Sequence, residues 1–184
     1  RARFGERVLA ELRGVMDEGG HSPFWDAIGG RFFDMTFPEA DEFNAIHGTQ
    51  FIADLFPKSA IYMSMLPDSA RAVIGQPHPT GRAALKMLDN EGFIWDSYVD
   101  IFDGAPTIIE DADSIRTIRE AATLRLDDRE PTSGQPMLVA HGHLHDFVAC
   151  YATVEIDGDS AAIDSGARKL LEVEPGAQIM VVGR

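Results

Sequence analysis

The chain has 184 residues, 45% of them hydrophobic, enough to bury a core as one domain with a small appendage. Its 16 Lys and Arg stand against 30 Asp and Glu, a formal charge of −14 that excludes the basic footprint needed by nucleic acid or an anionic membrane. No apolar run reaches the roughly 18 residues of a membrane span and no signal peptide is recognisable, so the sequence reads as that of a cytoplasmic protein.

In chain order, residues 8–12 read as a short strand that runs to Gly14 and a loop through Gly19-Gly20. Ser22 offers an N-cap, Pro23 suits a first helical position, and Phe24, Ile28, Phe32 and Met35 share one helical face, which predicts an amphipathic helix docked on a sheet. Gly29 and Gly30 within it cost about 1 kcal/mol each relative to Ala. Close helix packing or backbone approach to a ligand would account for them, packing being the simpler reading. Residues 60–66 alternate in the manner of a strand with one mostly apolar face. Pro67-Asp68 starts a helix that ends near Gly75, and a loop carrying His78 leads to a second helix, capped by Thr80 and stopped at Gly92. Residues 93–102 read as a long strand, so this region runs strand, helix, helix, strand.

Residues 114–123 read as a helix, and the polar, turn-rich stretch 126–136 as a linker. Beyond it, residues 137–140, 147–156, 161–163 and 178–182 read as strands with a short helix at 167–171, which suggests a small β-barrel or half-barrel. The fold class expected is α+β. A mixed sheet with flanking helices occupies residues 1–125, and a small β-barrel-like subdomain occupies 137–184.

Candidate chemistry centres on His78, held between Pro77 and Pro79. Prolines fix φ and push the preceding residue out of the helical region, so the imidazole has a defined direction from which it can carry a proton near neutral pH. The same setting suits a capping or packing histidine. Asp100 and Asp103 lie at a strand end, where carboxylates meet a guanidinium bidentately or serve as solvated turn residues. Glu11 and Arg13 either position a substrate or form a strand-end ion pair. His141, His143 and His145 alternate on a strand, but no cysteine or carboxylate set completes a metal site, so no metal is expected. Cys150 is the sole cysteine, which excludes a disulfide framework within the chain, and its alternation with Val148, Ala152, Val154 and Ile156 reads as core. Neither a G-x-S-x-G elbow nor a G-x-G-x-x-G phosphate loop occurs.

The segments Ala10-Glu11-Leu12-Arg13-Gly14, Ser22-Pro23-Phe24-Trp25, Arg31-Phe32-Phe33-Asp34-Met35 and Phe51-Ile52-Ala53-Asp54-Leu55, then Gly75-Gln76-Pro77-His78-Pro79 and Tyr98-Val99-Asp100-Ile101-Phe102-Asp103-Gly104, occur in one order. That order resembles the arginine N-succinyltransferases, of the acyl-CoA N-acyltransferase superfamily, densely from Arg7 to about Thr107 and more thinly afterwards. The resemblance implies an acyl-CoA N-acyltransferase-like fold with succinyl-CoA as donor, arginine as acceptor and no metal. It implies His78 as proton donor and a place in cytosolic arginine catabolism. The family's motif for the CoA pyrophosphate lies upstream of the matched part, and Arg1 corresponds to the tail of the helix that motif opens. The resemblance therefore implies a C-terminal portion that is an inefficient enzyme by itself, oligomeric, and completed by the upstream half or a paralogous subunit. A non-catalytic partner or stability module for another acyltransferase polypeptide is the alternative. The chain departs from the family pattern at Pro77, at Thr80-Gly81, where the threonine comes one position early, and at Ile108-Ile109, where Leu-Glu is more usual.

Overall fold

The first strand, β1 (Arg7–Glu11), forms where a short strand was expected over residues 8–12, and the chain leaves it through Gly14 toward the Ser22 cap. The Ser22 hydroxyl accepts the Trp25 N–H at 3.3 Å and Pro23 opens α1 (Pro23–Ala27). The single long helix expected over Phe24 to Met35 is broken at Ile28 (φ −121°, ψ −80°) into α1 and α2 (Gly29–Phe33). Trp25 lies against the next residue: a Cβ on Gly29 would lie 2.3 Å from its ring, so the chain passes over the indole only as glycine. Trp25 stacks between Phe33 and Phe102 at centroid distances of 5.6 and 5.4 Å, and its Nε1–H donates to the Met35 carbonyl at 2.9 Å.

The structure, a computed structural model, describes residues 5–183, so the helix tail expected at Arg1 lies outside the described residues. It divides into two units between Ile115 and Arg116. After α2, Thr36 and Glu39 form a reciprocal capping box at the start of α3 (Phe37–His47), and α4 (Gln50–Leu55) follows. Residues 60–66 are not a strand. Tyr62 and Met65 are exposed, and the backbone closes on itself in a 3-10 turn, Met65 N–H to the Tyr62 carbonyl and Leu66 N–H to the Met63 carbonyl. Alternation supplies two faces but no neighbouring strand, and without one the local hydrogen bonds win. Next come α5 (Asp68–Val73), α6 (Arg82–Glu91), β2 (Ile94–Val99) and β3 (Pro106–Asp111).

Sheet order in this unit is β1-β3-β2, all antiparallel. The long strand expected over 93–102 is only six residues: it carries a bulge at Ser97 (φ 62°), where the pairing shifts between Trp95 and Val99, and it stops where the Gly104 N–H donates to the Asp100 carbonyl at 3.0 Å and turns the chain toward β3. Ala10, Ile108 and Trp95 share one cross-strand row, and Ile108 packs there against Leu85 and Leu88 of α6, Phe93 and Ile115. Leu9, Ile109 and Ile94 form the neighbouring row on the opposite face, where Leu9 is 55% and Ile94 60% exposed.

The second unit comprises α7 (Arg116–Arg119), β4 (Ala122–Leu126), β5 (Gln135–His141), β6 (Val148–Asp157), β7 (Ser160–Ile163), α8 (Ser165–Leu171) and β8 (Gln178–Gly183). Its strands close into a barrel of order β4-β7-β6-β5-β8, with β4 antiparallel to β8. The domain boundary expected at residue 125, with a linker over 126–136, differs from this arrangement. The helix expected over 114–123 is four residues long, and all of β4 but its last residue lies within the stretch assigned to the first domain. The polar stretch that follows is a loop within the barrel unit, held by Glu155, which accepts the Thr132 and Ser133 N–H groups at 2.7 and 3.0 Å and pairs with Arg129 at 2.7 Å. Leu126, Val139, Ile163 and Val181 fill the barrel interior. Cys150 packs against that cluster, whereas Val148 and Ile156 on the same alternation lie at the exposed strand ends.

Candidate functional site

His78 is anchored through its backbone before its side chain is considered. Its N–H donates to the Arg13 carbonyl at 2.7 Å, Pro77 and Gly14 form an antiparallel bridge, and the Gly81 N–H donates to the His78 carbonyl at 2.8 Å. The segment after β1 thus holds the histidine loop by strand-like pairing, and the flanking prolines limit the rest. The imidazole is half-buried, with Nδ1 2.7 Å from Thr80 Oγ1 and 3.3 Å from the donating Thr80 N–H. Thr80 does not cap α6 as expected. It lies inside a 3-10 turn, Pro79–Gly81, for which His78 itself is the cap, and Gly81 precedes the helix without a side-chain cap. The added Gly81 moves the helix start one residue on, leaving the threonine hydroxyl for the imidazole.

Asp103 is 6% exposed, and both its oxygens are engaged: Oδ2 accepts the Gly14 N–H at 2.6 Å and Oδ1 the Ala105 N–H at 2.9 Å. Burial raises its carboxyl above the ordinary carboxylate value, against the opposing pull of the Gly14 and Ala105 amides. A Cβ on Gly14 would lie 2.6 Å from the Asp103 carboxyl carbon, so this junction requires glycine. Asp100 is half-buried at the turn after β2, its Oδ1 accepting the Phe102 N–H at 2.7 Å and the Asp103 N–H at 3.2 Å. The Gly75 N–H donates to the Gly104 carbonyl at 2.8 Å, tying the start of the histidine loop to the same turn.

Of the residues singled out in the sequence, Arg13, His78 and Asp103 meet at one knot of backbone hydrogen bonds, with Asp100 beside it. Arg13 is exposed, and its guanidinium contacts Met16 Sδ at 2.9 Å. Glu11 is exposed at the end of β1, its backbone in register with Thr107, and no Glu11–Arg13 ion pair forms among the described residues. Gly14 and Gly104 were not singled out. The signal for Gly104 was its place after two turn aspartates, and it has φ 71° with the Phe24 ring 2.7 Å from where a Cβ would stand.

His141, His143 and His145 are not gathered. His141 ends β5 with Nδ1 2.9 Å from the Gln178 carbonyl, and Gly142 (φ 84°) turns the chain before the other two, both exposed. Among the described residues, no group of three His, Cys, Asp or Glu side chains is placed to hold a metal ion. The barrel unit carries an open groove of about 400 Å³ beside Asp128, Glu130 and Lys169. Arg168 at that groove is occupied by the carbonyls of Ile163, Asp128 and Arg129. Burial raises the Cys150 thiol, the opposite of an activated nucleophile. No helix among the described residues is long and apolar enough to cross a membrane.

Known proteins are similar to this chain in sequence and fold. The family described as arginine N-succinyltransferase beta subunit matches residues 1–117, and that described as its C-terminal domain matches 119–183. An arginine N-succinyltransferase of Citrobacter koseri is 39% identical over 184 residues, covering 99% of this chain and 54% of its own length. The arginine N-succinyltransferase subunit alpha of Pseudomonas aeruginosa is 38% identical over 98% of this chain and 54% of its own. The solved arginine/ornithine succinyltransferase subunit AI from Pseudomonas aeruginosa superposes with a TM-score of 0.81 at 34% identity, over 99% of this chain and 52% of that one. The chain spans about half the length of the relatives it matches. With family matches over both units and a common fold, the chain belongs to the arginine N-succinyltransferase family.

Proposed function

We propose that this chain is the catalytic-histidine portion of an arginine N-succinyltransferase, which moves the succinyl group of succinyl-CoA onto the α-amine of arginine in cytoplasmic arginine catabolism. The observation that carries the reading is the backbone anchoring of a half-buried histidine in a chain of this family. In the reaction the neutral amine attacks the thioester carbonyl, a C–N bond forms, the C–S bond breaks, and the proton lost by nitrogen ends on the CoA sulfur. His78 gives its hydrogen to the departing thiolate as the C–S bond breaks, and the proton released by the amine nitrogen replaces it on the ring, so the histidine ends as it began.

Asp100, Glu11 and Arg13 are the candidates for binding the guanidinium of arginine and the carboxylate of the succinyl group. Asp103 is the fourth expected binding residue, and its two engaged oxygens favour a different contribution: it holds Gly14, and through the Arg13 carbonyl the His78 backbone. The acidic balance favours a cationic acceptor and leaves CoA, an anion, to local arginines and backbone amides. The chain spans about half the length of the relatives it matches, and we assign the CoA pyrophosphate contact to the other half of that length, or to a paralogous subunit, which turnover would then need. The test is succinyl-CoA-dependent CoA release by the complete enzyme with arginine. His78→Ala lowers kcat by about 100-fold or more if His78 is the proton donor, and equal rates overturn the assignment.

The second reading, a non-catalytic module completing another acyltransferase polypeptide, is favoured by the bare Leu9–Ile109–Ile94 row. Co-expression with the upstream half separates the two, since restored transfer supports the enzyme and stable association without turnover supports the module.

A further inference from the structure

We propose that Thr80 is a positioning residue for His78, holding the imidazole in the tautomer that carries its hydrogen on Nε2. The inference deepens the reading of His78 as proton donor and, in its catalytic consequence, rests on it.

Both hydrogen-bond contacts of the His78 ring with described residues converge on Nδ1 and both come from Thr80: the hydroxyl at 2.7 Å and the backbone N–H at 3.3 Å. A backbone N–H can only donate, so Nδ1 presents its lone pair. In a neutral imidazole the hydrogen is then on Nε2. The hydroxyl turns its own hydrogen toward Nδ1 and adds the shorter contact. With Nδ1 protonated instead, two hydrogens would oppose each other along the Thr80 N–H direction.

The rest of the loop leaves this task to Thr80. The Arg13 carbonyl and the Gly81 N–H hold the His78 backbone, and Pro77 and Pro79 restrict its neighbours, so rotation of the imidazole about its side-chain bonds is what remains to be restrained. The hydroxyl is available because α6 begins at Arg82, preceded by Gly81 with no side-chain cap. A threonine one position later would instead stand at the residue before the helix, where it would cap. The early threonine thus exchanges a helix cap for a histidine clamp. A donor to a departing sulfur needs its N–H on the ring atom that faces the substrate, and a ring in the other tautomer offers a lone pair there. Partners that orient a functional histidine through its second nitrogen have this effect elsewhere.

The test combines long-range ¹H–¹⁵N spectra of ¹⁵N-histidine-labelled protein with steady-state kinetics, both on the active assembly containing this chain. In the wild type, His78 shows the Nε2–H tautomer. Thr80→Val removes the shorter contact and frees the ring to rotate off the 3.3 Å N–H contact, so it gives a mixture of tautomers and lowers kcat about 10-fold with KM within about twofold, while Thr80→Ser restores both. An Nδ1–H tautomer in the wild type overturns the proposal without recourse to any variant. So does Thr80→Val with an unchanged tautomer and kcat, or a failure of Thr80→Ser to rescue. If His78→Ala turns over normally, the proton-donor reading falls, and the spectra still decide what Thr80 does.

Discussion

The two units handle the same problem, unpaired strand edges, in opposite ways. Residues 116–183 close five strands into a ring in which β4 and β8 pair directly, and a continuous apolar cluster fills the interior. Residues 5–115 have a three-stranded sheet with β1 and β2 at its edges, one face covered by α6 and an apolar row on the other left in water. Their apolar residues are divided among three small clusters around Phe24, Trp25 and Ile108. Closure satisfies backbone groups internally, whereas an open sheet with a bare face is a template for association. The barrel is therefore the self-sufficient part, and the unit carrying His78 is the part suited to be completed.

The comparison breaks most visibly in the barrel interior. Ile163 has no exposed surface. Ile163→Ala should cost about 2–5 kcal/mol in urea unfolding followed by a barrel signal. A loss under about 1 kcal/mol would mean that the interior is not what holds the ring. Asp103→Asn probes the other unit. An amide offers one acceptor oxygen where the carboxylate serves two N–H donors, so the change should cost about 1–3 kcal/mol and speed hydrogen exchange at the Gly14 amide. Unaltered exchange at Gly14 would show that the junction holds without its carboxylate.

A smaller effect, dependent on pH, concerns the barrel loop. Backbone hydrogen bonds from Ser133 and the Arg129 guanidinium lower the Glu155 carboxyl from 4.5 to about 2. A lowered folded-state value favours the fold fully above the unfolded value and loses that support as pH falls through the folded one. Barrel stability should therefore fall between about pH 4.5 and pH 2, and Glu155→Gln should flatten that part of the profile. A profile of unchanged slope in the variant would remove Glu155 as its source. The smallest change in stability is expected on the bare face: Ile94→Lys should shift unfolding by no more than about 0.5 kcal/mol. It should nevertheless weaken association of the chain in sedimentation, and full association in that variant would show that this face is not where a partner sits.

Features legible in the sequence were those whose cause is local. Ser22-Pro23 begins a helix and Gly92 (φ 101°) ends one, because caps are made by neighbours along the chain. The strands β5 to β8 were legible from alternation and turn spacing, as was the α+β class. His78 stood out from its prolines alone. The Thr36–Glu39 capping box of α3 was equally local and was overlooked.

What depends on distant partners was not legible. The stretch 60–66 alternates as a strand does and is none, while Pro106–Asp111, with no marked alternation, is the central strand of its sheet, because pairing and not pattern decides. Asp103 read as a carboxylate able to meet a guanidinium, and its two oxygens are engaged by the amides of Gly14, 89 residues away, and Ala105. By itself the sequence determined the Ser22 cap, the Gly92 stop and the strands β5 to β8, and it marked His78 as the histidine to watch, all from near neighbours. Tertiary structure alone decided which strand is central and that Asp103 holds Gly14, since those contacts exist only once the chain has closed on itself.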